Sequence, residues 1–366
     1  MIWASFGPYH LARIRALAKY FDVEAIQLAG FERLYRWGAE TDEQQASIHT
    51  LCDGAWEDQD PISVAFRLWR KLNKLQPRVL LVPGYTTAPA RAAGLWGRLH
   101  GVRTLLMSES NADDHRRRWW TEAAKRRLVK SLFGGAVVGG KRAREYMEFL
   151  GLGGAIVATG YDAVDNDFFS HGADQARRSG RPAALSNSYF LYVGRMAPEK
   201  NLDTLIEGFA AYRKIGGAWS LMLVGDGPLS AKLREKAVRL GCSDSVWFAG
   251  HKNAAELVPY YAHAGCFVLP SIREPWGLVV NEAMAAGLPV IVSSRCGCAD
   301  DLVEDDANGF LVNPEDISAL GALLSRVSAM PQSTLAAMGK RSREIVGKYS
   351  PEKFASEVRR IAGGQN

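Results

Sequence analysis

The sequence lacks the long apolar runs and paired cysteines that mark membrane-spanning and disulfide-stapled proteins. No stretch reaches the roughly 18 apolar residues that a membrane-spanning helix needs. Residues 1–17 also lack the basic start of a signal peptide. The five cysteines are scattered and odd in number, which fits a reducing compartment better than a disulfide framework. We therefore expect a cytoplasmic protein.

Metal and dinucleotide signatures are missing too. Cys296-Gly-Cys298 has no second pair of ligands beside it, so a plain loop is favoured over a metal site. The aspartates of residues 160–169 are interpreted as part of a polar loop rather than as metal ligands. No G-x-G-x-x-G follows the first predicted strand, which argues against a dinucleotide oxidoreductase. We expect neither a metal nor a resident cofactor.

Length and charge indicate the number of domains and the kind of partner. The 366 residues exceed what one hydrophobic core usually supports, so two domains are expected. The formal net charge of +6 favours an anionic partner. Nucleic acid, an acidic membrane surface and a phosphorylated substrate all meet that condition, and composition does not choose among them.

Short apolar or β-branched runs alternate with amphipathic helical stretches along the chain. The clearest runs are 79–82, 103–107, 136–138, 189–193, 220–224, 246–248, 266–269 and 289–292. This alternation predicts an α/β fold with parallel sheets that are covered on both faces.

A polar stretch, residues 171–187, divides the pattern into two halves. It contains Gly, Pro and Ser and no sustained apolar period, so we interpret it as a linker between domains 1–170 and 188–349. Ser350 followed by Pro351 is typical of the start of a last helix, within residues 350–366.

The loop after the run 189–193 carries the first candidate site. Gly194 permits a tight turn, and Arg195 and Lys200 follow it before the next predicted helix. Two cations near a helix start, at the carboxyl end of a strand, suit a phosphate or diphosphate. An ordinary charged surface loop explains the same residues equally well.

Two weaker turns follow. The strand ending in LVGDGP places Gly225 where backbone can approach a ligand closely, although such turns also join many ordinary strands and helices. The next strand gives way to Gly250, His251 and Lys252.

Residues 273–293 hold two glutamates eight positions apart. Glu274 precedes Trp276 and Gly277, and a predicted helix begins at Leu278. Glu274 could serve as a helix cap, but Glu282 lies within an apolar helix, where an unpaired charge would be costly.

These motifs together resemble those of family 4 retaining GT-B glycosyltransferases. GRMAPEKN, GDGP, FAGH and PSIREPWGLVVNEAMAAGLPV occur in the family's order and at similar spacing. The match covers residues 190–315 well and the N-terminal half only in outline. The resemblance implies two Rossmann-like domains facing a central cleft, with the C-terminal helix crossing back to the N-terminal domain.

The resemblance also implies roles for individual residues. Arg195 and Lys200 would hold the diphosphate of a nucleotide-sugar donor, and Glu274 would contact the sugar hydroxyls. Glu282 would accept hydrogen bonds from the ribose. The backbone of Gly194, Gly225, Trp276, Gly277 and Leu278 would line the donor, and Gly250, His251 and Lys252 would border its base. Hexosyl transfer from a UDP-sugar, without a metal, is the activity implied.

The N-terminal half departs from the family pattern. Only Gly7 stands where members often have two adjacent glycines, and His10 suits either a cleft role or a capping role. The family's histidine slot holds Ser108 and Glu109, with the nearest histidine at 115. We take Gly7, His10, Ser108 and Glu109 as candidates for acceptor contacts.

Residues 116–133 hold seven cations and one acid. A domain helix with a cationic face is one interpretation, and docking on an anionic membrane at the inner face of the cell is another. The acceptor would then be a glycan, a lipid-linked glycan or a small-molecule hydroxyl. An epimerase or phosphorylase of the same fold remains an alternative. A basic nucleic-acid-binding protein would explain the charge but not the ordered motifs, so no nucleic acid is expected as a partner.

Overall fold

The computed structural model describes residues 1–33, 47–113, 117–182, 185 and 188–363. The chain divides into two compact units, Met1–Val164 with Tyr349–Asn366, and Asp165–Lys348. His115, the first residue of the basic stretch 116–133, parts of the predicted linker and residues 364–366 lie outside the described ranges.

The first unit alternates strands and helices. In chain order its elements are β1 (Ile2–Trp3), α1 (Pro8–Ala18), β2 (Glu24–Gln27), β3 (Ser47–Thr50), α2 (Pro61–Leu75), β4 (Val79–Pro83), α3 (Ala88–Leu99), β5 (Arg103–Ser108), α4 (Trp119–Leu132), β6 (Gly135–Val138), α5 (Lys141–Phe149) and β7 (Val157–Thr159). All strand pairs are parallel, in the orders β1-β2-β3 and β4-β5-β6-β7, and β1 lies beside β4. The unit therefore holds a three-stranded and a four-stranded parallel sheet, which meet where β1 lies beside β4 and are together called the first sheet.

Two apolar layers cover this sheet. Residues of α2, α3, α4 and α5 pack on one face, around the fully buried Trp96. Residues of α1 pack on the other face. Burial on both faces explains why the strands read as continuous apolar runs rather than as alternating patterns.

The second unit repeats the plan. Its elements are α6 (Asn166–Arg178), β8 (Tyr189–Val193), α7 (Leu202–Lys214), β9 (Ser220–Val224), α8 (Ser230–Arg239), β10 (Val246–Gly250), α9 (Ala254–His263), β11 (Cys266–Leu269), α10 (Leu278–Ala285), β12 (Val290–Ser293), α11 (Ala299–Leu302), β13 (Gly309–Val312), α12 (Ile317–Ser328) and α13 (Gln332–Val346). Its six parallel strands have the order β10-β9-β8-β11-β12-β13, which is the Rossmann order. The predicted α/β class with parallel sheets is confirmed.

The last helix, α14 (Pro351–Ala362), belongs to the first unit. Ser350 caps it, because its side chain accepts a hydrogen bond from the Lys353 amide at 3.2 Å. Phe354 is fully buried in the layer that contains α1, and Glu352 forms an ion pair at 3.0 Å with Lys19, which directly follows α1. The C-terminal helix thus returns to the N-terminal unit, as the resemblance implied.

The predicted linker 171–187 is wrong over residues 171–178, which form the C-terminal part of α6. The second unit also begins at Asp165 rather than after residue 170. Only two α6 side chains, Phe169 and Ala173, are buried, so the apolar period was too sparse to detect. The helix is held partly by polar contacts instead: the Arg177 Nε donates to the Ala262 carbonyl at 2.9 Å.

The sequence predicted neither membrane-spanning helices nor disulfides, and the described residues bear on both points. Among them, no helix combines the length and apolar character needed to cross a bilayer. All five cysteines are buried and none forms a disulfide.

Close packing of α13 on the end of α10 depends on a glycine. A Cβ built on Gly339 would lie 2.0 Å from the carbonyl oxygen of Gly287, which is backbone and cannot move aside cheaply. Gly to Ala in a helix interior normally stabilises a protein by about 1 kcal/mol. We predict the opposite sign for Gly339→Ala, a loss of about 1–3 kcal/mol from overpacking.

Urea unfolding monitored by circular dichroism measures this effect. Gly153→Ala is the control, because Gly153 has a φ of −67° and its added Cβ would meet nothing within 4 Å. A Gly339→Ala protein at least as stable as the wild type would contradict the packing argument.

Candidate functional site

The strand order of the second sheet reverses between β8 and β11. These two strands are neighbours in the sheet. The strands that follow β8 in the chain, β9 and β10, lie on one side of this pair, and those that follow β11, β12 and β13, lie on the other. Loops leaving the carboxyl ends of such a pair diverge and leave a crevice, where open α/β sheets bind ligands. The two loops are residues 194–201 and 270–277.

Lys200 and Glu274 meet at this crevice, one from each loop. The Lys200 Nζ contacts the Glu274 Oε2, and the Ser271 hydroxyl donates to the same oxygen at 3.4 Å. The Lys200 and Glu274 side chains are only 19% and 11% exposed. A charge pair that is largely shielded from water is held more firmly than a surface pair. The structure therefore brings the predicted phosphate cation and the predicted sugar-binding carboxylate into direct contact.

Arg195 has a carboxylate partner of its own, which sequence reasoning missed. Its Nη2 lies 2.5 Å from the Glu199 Oε1. Burial pushes the pKa of Glu199 up, but hydrogen bonds from backbone and from Arg195 outweigh it and leave the pKa below its usual value. The Arg195 side chain is 46% exposed, and ion pairs this exposed are weak. Arg195 can therefore exchange Glu199 for a ligand at little cost.

Asn201 ties the two loops together. Its Nδ2 donates to the carbonyls of Pro270, at 3.1 Å, and Pro314, at 2.7 Å. It also adopts a left-handed conformation, with φ of 57°, which asparagine tolerates better than most residues. The Ile272 amide adds a bond of 2.9 Å to the Glu199 carbonyl. These bonds fix the spacing at which Lys200 and Glu274 can meet.

The glycine turn after β9 is required by its neighbours. Gly225 has φ of +128°, and a Cβ there would lie 2.0 Å from the Gly194 carbonyl oxygen. The Gly225 amide donates to the Gly250 carbonyl at 2.8 Å, and the Gly194 amide donates to Val224 at 3.0 Å. The three predicted turns at Gly194, Gly225 and Gly250 thus form one hydrogen-bonded rim along the sheet edge.

The loop 270–277 leads into α10 through a second left-handed glycine, Gly277, with φ of +107°. No side chain caps α10 at Gly277, and the Val280 amide donates to the Gly277 carbonyl at 2.8 Å, so the amides of Leu278 and Val279 keep their capacity to bind an anion. Trp276 is buried, and its Nε1 donates to the Asn281 Oδ1 at 2.9 Å. The side chain of Trp276 therefore anchors the loop, and its carbonyl accepts the Cys298 amide at 3.3 Å.

Glu282 is fully buried on α10. Its Oε2 accepts a hydrogen bond of 2.6 Å from the Tyr261 hydroxyl, which removes the cost of an isolated buried carboxylate. The structure does not bring Glu282 into contact with Lys200 or Glu274. Its assignment to ribose hydroxyls stays a prediction, and it requires the side chain to turn from Tyr261 toward the ligand.

The predicted base-bordering residues lie past β10. His251 is exposed, and the Lys252 Nζ lies 3.9 Å from the Glu256 Oε1. β10 is two strands away from β8 on the same side of the reversal point. This spacing along the carboxyl edge suits the far end of an extended ligand whose phosphates lie at Arg195 and Lys200.

In the first unit, His10 acts as a cap of α1. The Gly7 amide donates to the His10 Nδ1 at 3.0 Å, and the ring lies 4.2 Å from that of Trp3. Burial and then the charge of Arg13 lower the pKa of His10 well below its usual value. His10 is therefore neutral, with its proton on Nε2. The structure thus shows the capping role, and the cleft role of His10 stays a prediction.

Past the carboxyl ends of β5 and β7, the half-buried Glu109 lies beside the fully buried Asp162. Asp162 is fully buried, and its pKa is raised well above the usual value, first by burial and then by the charge of Glu109. The charge of Arg13 opposes this shift but is the smaller effect. Burial of one carboxyl beside another commonly raises its pKa in this way.

Arg13 is the cation of this cluster. Its Nη1 donates to the Tyr161 carbonyl at 2.7 Å, and its guanidinium lies 4.8 Å from the Tyr161 ring. Its charge lowers the pKa of Asp162 but does not offset burial. Sequence reasoning missed both Arg13 and Asp162, because Arg13 lies in a helix pattern and Asp162 in a stretch read as a polar loop. Ser108, at the end of β5, accepts a bond of 3.2 Å from the Ser110 amide.

Comparison with solved structures defines the class of fold. The chain superposes on HepE of Anabaena, solved in complex with UDP, with a TM-score of 0.77 over 100% of this chain and 99% of that one, at 15% identity. This is the GT-B fold of glycosyltransferases.

The family of the second unit follows from sequence comparison. Residues 175–345 match the family described as Glycosyl transferases group 1, so the second unit contains a domain of that family. A glycosyltransferase of Methanocaldococcus jannaschii is 30% identical over 168 residues, which are 46% of this chain and 43% of the relative. The GDP-mannose:cellobiosyl-diphosphopolyprenol alpha-mannosyltransferase of Komagataeibacter xylinus is 29% identical over 219 residues, 56% and 55% of the two chains. The chain thus spans about half the length of the curated relatives it matches.

The buried Asp162 predicts an unusual pH dependence of stability. Because the pKa of Asp162 is higher in the folded than in the unfolded state, its contribution is present below the unfolded pKa of 3.8. That contribution is lost as pH rises through the folded pKa, at about 1.4 kcal/mol per pH unit. Asp162→Asn keeps the shape and a hydrogen-bond donor but removes the titration. We expect the wild type to lose stability relative to Asp162→Asn as pH rises above 3.8.

Urea midpoints measured over a pH series at constant ionic strength check this. Asp22→Asn, at an exposed aspartate of the same unit, is the control and should follow the wild type. Parallel curves for the wild type and Asp162→Asn would mean that Asp162 is ionised in the folded protein.

Proposed function

We propose that the protein is a glycosyltransferase that moves a sugar from a nucleotide-sugar donor to a hydroxyl acceptor. The observation that carries the proposal is the contact between Lys200 and Glu274 at the reversal point of the second sheet. It places a cation and a hydrogen-bond acceptor within one short ligand-binding crevice. The family match of residues 175–345 supports the same activity.

The donor lies along the carboxyl edge of the second sheet. Arg195, Lys200 and the first amides of α10 hold the diphosphate, and Glu274 contacts hydroxyls of the sugar. The base lies toward Gly250, His251 and Lys252. UDP is the proposed carrier, and the UDP complex of the structurally similar HepE supports it. The mannosyltransferase relative uses GDP-mannose by its name, so the base remains the first variable to test.

The chemistry follows from where charge develops. The bond between the anomeric carbon and the phosphate oxygen breaks, and the electron pair leaves with the diphosphate. The acceptor oxygen forms the new bond, and its proton passes to the leaving phosphate. Fixed cations and helix amides stabilise the charge of the departing diphosphate. Glu274 acts on sugar hydroxyls and need not be a base, because its carboxylate is already occupied by Lys200. We propose that the anomeric configuration is retained.

The acceptor is a glycan, a glycolipid or a small-molecule hydroxyl, met by the first unit. Its carboxyl edge carries Glu109, whose charge raises the pKa of Asp162, at the position of the family's histidine. A carboxylate there can accept a hydrogen bond from an acceptor hydroxyl. The mannosyltransferase relative, whose name gives a lipid-diphosphate acceptor, supports the lipid-linked class.

Loss of one phosphate cation should weaken catalysis strongly. We predict that Arg195→Ala lowers kcat/KM by about 100-fold, on the order of 3 kcal/mol, as loss of one transition-state donor does elsewhere. Its folding should be unchanged, because the side chain is half exposed. A thermal-shift panel of UDP-, GDP- and ADP-sugars identifies the donor first, and transfer or donor hydrolysis is then measured.

Arg239→Ala is the matched control, an exposed arginine on α8 of the same unit. It should bind and turn over donor like the wild type. Equal activity of Arg195→Ala and Arg239→Ala would contradict the assignment of Arg195 to the donor diphosphate. A lack of stabilisation by all three donors would contradict the donor site as a whole.

Metal independence is the second test of the mechanism. Among the described residues, no group of three or more His, Cys, Asp or Glu is arranged to hold a metal ion. If cations of the chain neutralise the leaving group, activity after exhaustive EDTA treatment should equal that of the untreated enzyme. Added Mg²⁺ or Mn²⁺ should not raise it. Loss of activity in EDTA with recovery on adding either ion would show that a metal shares this role.

A further inference from the structure

The helices on one face of the first sheet are almost devoid of acidic residues. Residues 61–108, which include α2 and α3, contain eight Lys and Arg and no Asp or Glu. Across α2, α3 and α4 there are ten Lys and Arg against one acid, Glu122. An ordinary solvated helix layer mixes both signs, so this bias is a feature of the surface rather than of the fold.

The single acid does not reach this surface. Glu122 is buried, and its carboxylate accepts hydrogen bonds from Lys125 at 2.8 Å and from the Tyr146 hydroxyl at 2.8 Å. Arg117 contacts the same carboxylate at 3.3 Å. The charge of Glu122 is thus compensated inside the unit. The exposed side of α4 therefore carries only cationic and uncharged side chains.

The three helices form one continuous layer. The Trp96 Nε1 of α3 donates to the Asn73 Oδ1 of α2 at 2.6 Å. The Arg98 Nη1 of α3 donates to the Ser131 carbonyl of α4 at 3.2 Å. We call the exposed side of α2, α3 and α4 the cationic face.

A groove crosses this face between α3 and α4. It has a volume of about 720 Å³ and is lined by Arg98, Arg126, Arg127 and Lys130, with Ala123 and Ser131. Of these, Arg126, Arg127 and Lys130 on α4 form no ion pair with any residue that the structure describes, whereas Lys125 is paired with Glu122. Unpaired cations around an open groove suit the phosphates of lipid headgroups.

Large apolar side chains stand on the same helices. The exposed fractions are 75% for Ile62 on α2, 65% for Leu99 on α3 and 78% for Trp119 on α4. Trp120 is also exposed, edge-on to Trp119. Aliphatic side chains gain little from a nucleic-acid backbone, whereas tryptophan and leucine beside cations are typical of the interface of an anionic bilayer.

We propose that the cationic face docks the protein on an anionic lipid bilayer, with Trp119 and Trp120 inserted at headgroup level. The proposal is independent of donor binding in the second unit. It extends the membrane interpretation of the basic stretch 116–133 to three helices.

Vesicle co-sedimentation tests the docking. The protein should bind phosphatidylcholine vesicles that contain phosphatidylglycerol, should release from them as salt is raised, and should bind pure phosphatidylcholine weakly. Each cation near such a surface contributes roughly a fivefold factor, so Arg126→Gln with Arg127→Gln should weaken partitioning roughly 25-fold. Equal binding to neutral and anionic vesicles, or no binding to anionic vesicles at low salt, would overturn the proposal.

The control removes the same charge elsewhere. Lys214→Gln with Arg239→Gln takes two exposed cations from the second unit and should leave vesicle binding unchanged. Equal weakening by both double variants would mean that net charge, rather than the cationic face, drives binding. Both double variants should keep the wild-type donor-induced thermal shift.

Insertion is tested separately from attraction. Brominated lipids should quench tryptophan fluorescence of the wild type, and most of that quenching should disappear in Trp119→Ser with Trp120→Ser. An RNA that binds more tightly than anionic vesicles at the same salt, and displaces the protein from them, would instead make the cationic face a nucleic-acid surface.

Discussion

The parallel pairing of β8 with β11 is the constraint on which the candidate site depends. Hydrogen bonding between two parallel strands places their carboxyl ends side by side, whatever the length of chain that separates them. Because the sheet order reverses there, the following loops part and leave room for a ligand. Lys200 and Glu274, separated by 74 positions, meet for this reason.

Polar groups at the site are paired before any ligand arrives. Arg195 is held by Glu199, Lys200 by Glu274, and Glu282 by Tyr261. Burial makes an unpaired charge expensive, so each group has a local partner. The Arg195–Glu199 pair is the most exposed and therefore the easiest to exchange for a ligand. The more buried pairs mainly keep the loops in place. The same physics raises the pKa of the buried Asp162 beside Glu109 in the first unit.

Local patterns were enough to predict much of the fold. The runs at 189–193, 220–224 and 266–269 became strands with the predicted bounds, because buried parallel strands are continuously apolar. The strand 24–27 was missed, since its sequence EAIQ is too short and too polar to stand out. Helix α6 was read as a linker because only Phe169 and Ala173 face the core. In each case the missing signal came from contacts with distant elements.

The sequence by itself determined the α/β class, the ordered loops that carry Arg195, Lys200 and Glu274, and the absence of acids from residues 61–108. These are properties of residue type and local spacing, which need no knowledge of neighbours in space. Only the tertiary structure decided that Glu282 pairs with Tyr261, that Asp162 lies against Glu109, and that Glu122 is hidden from the cationic face. Each of these depends on side chains from different elements sharing a low-dielectric interior, where burial and charge set which partners meet.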